Sequence, residues 1–438
     1  MSNIKSSHLS NGLVVLSEHM PQAHGVAIST LVDASPQHET PEQSGLAHLC
    51  EHAFFLGTKT RDEQVFAALI DSAGGQLGGF TARDYTCLHA TISSDYVTYA
   101  IDLLGEMLTN SEYTEERLQT EIGVIGHEID AHEDTTGTWL DSKLKQAMWP
   151  DDPLARSILG TKDSLASFSK DDVQGFVKSQ YTPDRIVIAA AGQVDHDDFV
   201  EQVYDSMWQL EGTDCRTDEE TIATPQGGVV VQQREQRLAN VSVMVPSPVY
   251  SDEDRYSLHV LVSLLGGGMS SRLYSEIREK LGLAYSVSAC WNAYGRGGVI
   301  NIELATSPNS VMPAIMGVFN QLAALAFDAE SITDEELWKA KMQVKGQAFL
   351  ASDSIQTRVS RLATQQLYFD APIPLEDLLR DIEAVEMDSV RRVAHRVFSS
   401  GLSASSVGVA GLVDAEEAVY SGVADLRSCF EQTANQIP

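Results

Sequence analysis

Apolar positions fall into short runs of strand type followed by long stretches of helical type, and the succession occurs twice along the chain. In the first half, Val14–Ser17 and then Gly25–Val32, rich in Val, Ala and Ile, predict strands. Ser44 to Gly57 reads as one helix with Gly57 as its stop, and Tyr85–Ser93 as a further strand. Long helices follow from Thr114 to about Trp149, and the apolar run Ile186–Ala191 predicts a buried strand. Strands and helices do not alternate strictly, which favours an α+β class over a doubly wound one.

Self-comparison explains the repetition. Ala191-Gly192-Gln193-Val194-Asp195 returns as Ala410-Gly411-Leu412-Val413-Asp414, an offset of 410 − 191 = 219. Thr114–Leu118 returns as Thr333–Leu337 at the same offset, and GLVVLSE from Gly12 resembles GVVVQQR from Gly228 at 216. An offset near half the length means two copies of one unit. The expected organisation is a domain over 1–210, a polar linker over 211–227 and a homologous domain over 228–438. Each is expected to be a largely antiparallel sheet packed with helices, the two facing each other as a clamshell.

Length and composition narrow the class. A chain of 438 residues exceeds one ordinary core, and 43% hydrophobic with 21% charged residues fits a globular protein. No apolar run suggests a segment of the ~18–20 residues that spans a bilayer. The first residues resemble neither a signal nor a transit peptide. The five cysteines are scattered and fit no disulfide framework, so a cytoplasmic location is expected. The net charge of −32 disfavours nucleic acid and anionic membranes as partners.

The chemistry concentrates in the helix from Ser44. His48 and His52 are four residues apart, so both imidazoles leave one face and can reach a single zinc ion. Glu51 borders that face, where a carboxylate can take a proton from the attacking water. A third ligand must come from another element. Glu121 and Glu128 lie two turns apart on the later helix, and either can supply it.

The His-x-x-Glu-His order marks the inverzincins. With SGLAHLCEHAFFLGT, TEIGVIGHEIDAHED and LGGGMSSRLYSEIREKLGLAYSV (Leu265–Val287), the chain resembles the pitrilysin family of zinc peptidases, in particular the branch of mitochondrial processing peptidase and its bacterial relatives. The resemblance implies one zinc ion per chain held by His48, His52 and Glu128, with Glu51 as base and Glu121 behind the ligands. It implies that Gly78, Gly79, Phe80 and Thr81 form a strand that pairs with substrate backbone. Here Gly78 and Gly79 replace the family's Asn and Ala, which predicts a looser or differently shaped groove.

At the 219 offset, His48, Glu51, His52, Glu121 and Glu128 fall on Gly267, Ser270, Ser271, Ala340 and Gln347, so no second metal site is expected. The second half instead carries Arg278 and Tyr285. By position Arg278 is one charge among Arg272, Glu276, Glu279 and Lys280. The resemblance makes the pair substrate contacts, with the phenol donating to the oxyanion. The expected activity is zinc-dependent endopeptidase action on extended, unfolded peptides. The expected assembly is a homodimer, with a mixed pair as the second choice. The alternative is a non-catalytic or partner-dependent subunit of the same fold.

Overall fold

The computed structural model describes residues 3–212, 221–328, 331–411 and 416–434. Leu412 to Asp414 of the repeat, and 213–220 of the expected linker, lie outside them.

The first sheet holds β1 (Ile4–His8), β2 (Val14–His19), β3 (Gly25–Val32), β4 (Gln76–Thr81), β5 (Thr86–Ser93) and β6 (Ile186–Gly192) in the order β1-β2-β6-β3-β5-β4. The second holds β7 (Val229–Gln233), β8 (Ala239–Ser247), β9 (Ala284–Ala293), β10 (Gly298–Thr306) and β11 (Ser406–Gly411) in the order β7-β11-β8-β10-β9. The duplication is visible in the pairing. β2 and β6 run parallel, as do β7 and β11, while the other neighbours are antiparallel. An α+β class with largely antiparallel sheets is what the structure has.

Alternation along the central strands buries both faces. In the first sheet Val26, Ile28, Leu88 and Ile188 point to one face, where Leu46, Leu49 and Ala53 of the helix Leu46–Ala53 join them. Leu16, Ala27, Leu31 and Ala189 point to the other, against Val359, Leu362 and Ala363 of the helix Ile355–Phe369. In the second sheet Met244 and Val299 meet Leu144 and Met148 of the helix Thr136–Met148. Val243 and Ile302 face a large core that includes Val318, Phe319 and Phe398.

The compact units are therefore not contiguous in sequence. One comprises Met1–Ala131, Arg156–Glu219 and Phe349–Leu375, the other His132–Ala155, Glu220–Ala348 and Glu376–Pro438. A cut at 211–227 separates the strands of the two sheets, but each sheet keeps one helix encoded in the other half. Sequence periodicity identifies a helix without saying which sheet covers it.

Two expectations need correction. The helix from Ser44 spans only Leu46–Ala53. The Phe54 amide donates to the carbonyls of Cys50 and Glu51, and the chain turns there to bury the Phe54 ring. One segment, Pro308–Phe327, does have the length and apolarity of a membrane span. Its Val311, Ile315, Val318, Phe319 and Leu322 are packed in the core of the second unit, which accounts for the apolarity.

Candidate metal centre

The helix Leu46–Ala53 starts at a glycine, which has no side chain to cap it. The cap comes from Glu39. Its carboxylate accepts from the Gly45 amide at 3.1 Å and the Ala47 amide at 2.8 Å, satisfying donors that a helix start leaves open. Two short turns, Pro36–His38 and Pro41–Gln43, fold the chain back so that Glu39 reaches them. The Arg156 guanidinium binds the Glu39 carbonyl and holds that loop. Burial pushes the Glu39 carboxyl up to about 7, against the pull of these amides and Arg156. A capping signature is read three residues apart. Glu39 is six residues before Gly45, and nothing in the sequence marks it.

Seven of the eight helix residues are buried, and the histidines emerge together with ring centroids 4.5 Å apart. The helix Glu115–Asp134 brings the glutamates to them. Glu128 Oε2 lies 3.8 Å from His48 Nε2 and 3.7 Å from His52 Nε2. Glu121, two turns earlier, accepts a hydrogen bond of 2.7 Å from His52 Nδ1 instead. That bond places the His52 proton on Nδ1 and leaves Nε2 free to ligate. The two candidates for third ligand thus occupy different places, one among the ligand atoms and one behind them.

His48, His52 and Glu128 offer ligand atoms all within 4.8 Å of one another. Ligands held at ~2.0–2.1 Å around a tetrahedral zinc ion stand about 3.4 Å apart, so small rotations close the set. Burial, and the neighbouring His52, hold His48 down at about 3, so its imidazole is neutral as a ligand requires. For His52, burial opposes the charged form, but the Glu121 bond and the carboxylates of Glu51, Glu128 and Glu121 outweigh it and raise the ring. Two imidazoles among three carboxylates suit a divalent cation. The residues fit zinc, and Glu128, the half-exposed member, marks the open side.

Glu51 stands beside the ligands. Its Oε2 is 3.9 Å from His48 Nε2 and accepts from the Thr81 hydroxyl at 3.2 Å. Burial raises its affinity for a proton, which suits a base.

β4 is an edge strand, and its glycines have a local cause. A Cβ on Gly79 would lie 2.6 Å from Glu51 Oε1, and one on Gly78 would lie 3.1 Å from the His89 ring on the opposite face. The space is taken up by neighbouring side chains, so the strand there is not loose. Phe80 is 42% exposed.

In the second unit, the positions equivalent to the motif follow the end of the helix Arg255–Gly266, and Ala340 is buried. Among the described residues, His48, His52 and Glu128 are the metal-type cluster. Arg278 lies in a π-helix, Tyr274–Lys280, with its guanidinium 4.8 Å from the Tyr274 ring centroid and 5.8 Å from that of Tyr285. π-helical turns are rare and frequent at functional sites. Tyr285 is the second residue of β9 and is 72% exposed.

Residues 14–162 match the family described as Insulinase (Peptidase family M16), and residues 167–344 match the Peptidase M16 inactive domain. A Bacillus subtilis protein named as an uncharacterized zinc protease is 31% identical over 93% of this chain and 99% of its own. The chain belongs to peptidase family M16. A Streptomyces coelicolor protein, also named as an uncharacterized zinc protease, is 30% identical over 93% and 90% of the two chains. In fold the chain is similar to a Pseudomonas fluorescens peptidase M16 inactive domain, with TM-score 0.85, 19% identity and 93% and 98% coverage. It is also similar to a protease from Helicobacter pylori, with TM-score 0.83, 22% identity and 94% and 100% coverage. For this M16 chain, Gly267, Ser270 and Ser271 fall inside the match to the inactive domain, whereas His48, Glu51, His52, Glu121 and Glu128 fall inside the other.

Proposed function

We propose that the chain is a zinc endopeptidase, with the ion held by His48, His52 and Glu128. The observation that carries this reading is the convergence of those three ligands beside a buried carboxylate, Glu51, that is not itself among them. Zinc bound there supplies Lewis acidity to the scissile carbonyl and to the attacking water. Glu51 takes the proton of that water and delivers it to the leaving amine. Thr81 fixes the Glu51 carboxylate, and Glu121 fixes the His52 ring. The substrate is an extended peptide that adds to the free edge of β4, which favours unfolded chains over folded ones. The roles of Arg278 and Tyr285 as substrate contacts, and assembly as a homodimer, belong to the same proposal.

The test pairs metal analysis with mass-spectrometric mapping of cleaved peptides. The parent is expected to bind about one zinc per chain and to cut a peptide library. Glu51→Gln should keep the metal and lose ~10²–10⁴-fold or more in turnover. His52→Ala should lose the metal. A folded, zinc-loaded parent that cuts nothing favours the alternative, a subunit that depends on a partner.

A further inference from the structure

The helix Glu115–Asp134 carries Glu121 and Glu128, yet its second half has little of its own to hold it. Leu118 and Ile125 are its buried residues, and none from Gly126 to Asp134 is buried. Gly123 and Gly126 precede Glu128 with nothing within 4 Å of where a Cβ would stand. Each glycine weakens a helix interior by ~1 kcal/mol relative to alanine. The exposed Lys162–Asp130 pair on this stretch adds little. The turn that bears the third ligand is therefore weakly fixed by its own residues.

The end of that helix is held from a strand. Arg234 follows β7, and its guanidinium donates to the Asp134 carbonyl at 2.8 Å and to the Glu133 carbonyl. These are among the acceptors that a helix end leaves open, and the cation stands at the negative end of the helix dipole. The guanidinium is itself fixed. Gln232 Oε1 accepts from its Nε at 2.8 Å, and it lies 5.3 Å from the Trp139 ring centroid. Beside it, the Thr138 hydroxyl donates to the His132 carbonyl at 2.9 Å, and Gln236 donates to the Thr136 hydroxyl at 2.6 Å. All these residues belong to the second unit, as does the helix end, whereas the helix begins in the first.

The duplication supplies an internal comparison. The helices Glu115–Asp134 and Thr136–Met148 return as Asp334–Ala351 and Ile355–Phe369, with both starts displaced by 219 (334 − 115 and 355 − 136). The second junction is also clamped through an arginine. Arg358 donates to the Ser352 carbonyl and to Glu18 of β2. The helix before this junction carries Gln347 where the first copy has Glu128, and no metal-type cluster among the described residues includes it. A clamp that serves stability alone acts equally in the two copies. A clamp that positions a ligand bears on the metal in the first copy only.

We propose that Arg234 is a positioning residue for the third ligand. By holding the last turn of the helix it fixes the rotation of the helix at Glu128, five residues (133 − 128) and ~7.5 Å along the axis before Glu133. The carboxylate then meets two imidazoles whose own helix is almost wholly buried. The planar fork reaches two carbonyls at once, which a lysine cannot do. The inference rests on the reading of His48, His52 and Glu128 as the metal site.

The test measures zinc affinity by competition with a chelator in the full-length parent, Arg234→Ala, Arg234→Lys and Arg358→Ala. Arg234→Ala is expected to weaken zinc binding roughly 3- to 30-fold, the range for a residue that acts on a site from a distance. Arg234→Lys should move the same way by less. Arg358→Ala breaks the equivalent clamp, so it should lower thermal stability and leave zinc affinity at the parent value. In the metal-free proteins, amide hydrogen exchange over 126–134 should quicken in Arg234→Ala, and over 345–353 in Arg358→Ala. Parental zinc affinity in folded Arg234→Ala or Arg234→Lys overturns the positioning role, and so does an equal loss in Arg358→Ala. A parent that binds no zinc sinks the metal reading itself, and the role of Arg234 with it.

Discussion

At the scale of single residues, two positions that are not ligands bear on the candidate site, one through His52 and one through Glu51. Glu121 holds the His52 ring through a 2.7 Å hydrogen bond, whereas the buried Nδ1 of His48 has no hydrogen-bond partner among the described residues. The orientation of the pair therefore leans on Glu121. Partners of this kind are worth 10–100-fold in metal affinity. Glu121→Ala is expected to weaken zinc binding by about that factor, measured by competition with a chelator. Unchanged affinity would mean that the helix alone orients the ring. Gly79 is the second case. A methyl group there would stand 2.6 Å from Glu51 Oε1 and 3.0 Å from its Cγ, so the carboxylate must move. Displacement of a reacting group by ~1 Å can cost 10²-fold. Gly79→Ala is expected to lower kcat by roughly that much, with zinc content and thermal stability near those of the parent. Equal losses in kcat and in thermal stability would point to a broken strand instead.

At the scale of elements, the helix Leu46–Ala53 is short, and its stability comes from packing and from the cap that Glu39 provides. The Glu39 carboxyl is raised from 4.5 to about 7 by burial. Between those values the folded protein keeps a proton that the unfolded chain has released, so stability falls as the pH rises through that window. Glu39→Gln cannot titrate. Denaturant unfolding at several pH values between 4.5 and 8 should show the parent losing stability relative to the variant as pH rises. A difference that stays constant across the series would place the Glu39 pKa near its ordinary value. The edge strand shows the same dependence on neighbours. Glycine at 78 and 79 predicts a weak strand, yet β4 pairs along its length with β5 because His89 and Glu51 occupy the space the glycines leave.

At the scale of the whole molecule, each sheet is covered on one face by a helix from the other half of the sequence. Leu140, Leu144 and Met148 are buried with the second unit, and Val359 and Leu362 with the first. At ~1.5–3 kcal/mol for each such side chain, the exchange contributes roughly 10 kcal/mol, far more than the Arg358–Glu18 ion pair that accompanies it. A specific protease site inserted within residues 213–220 and then cut is expected to leave the two fragments co-eluting in size-exclusion chromatography. They should part only in denaturant. Separation in native buffer would show that the exchanged helices do not hold the halves.

The sequence by itself determined the class, the duplication and the chemistry. Hydrophobic periodicity is local, a 219-residue offset survives divergence, and two histidines four apart on a helix share a face whatever surrounds them. It also narrowed the third ligand to Glu121 or Glu128, since their spacing puts both on one face. The resemblance named Glu128 and set Glu121 behind the ligands, but the physical reason lies only in the tertiary structure, since which carboxylate meets the imidazoles depends on how two helices far apart in sequence approach each other. The same holds for Glu39, for the glycines of β4 and for the exchanged helices. Each is set by a contact between segments distant along the chain, and such contacts leave no periodic trace in either segment.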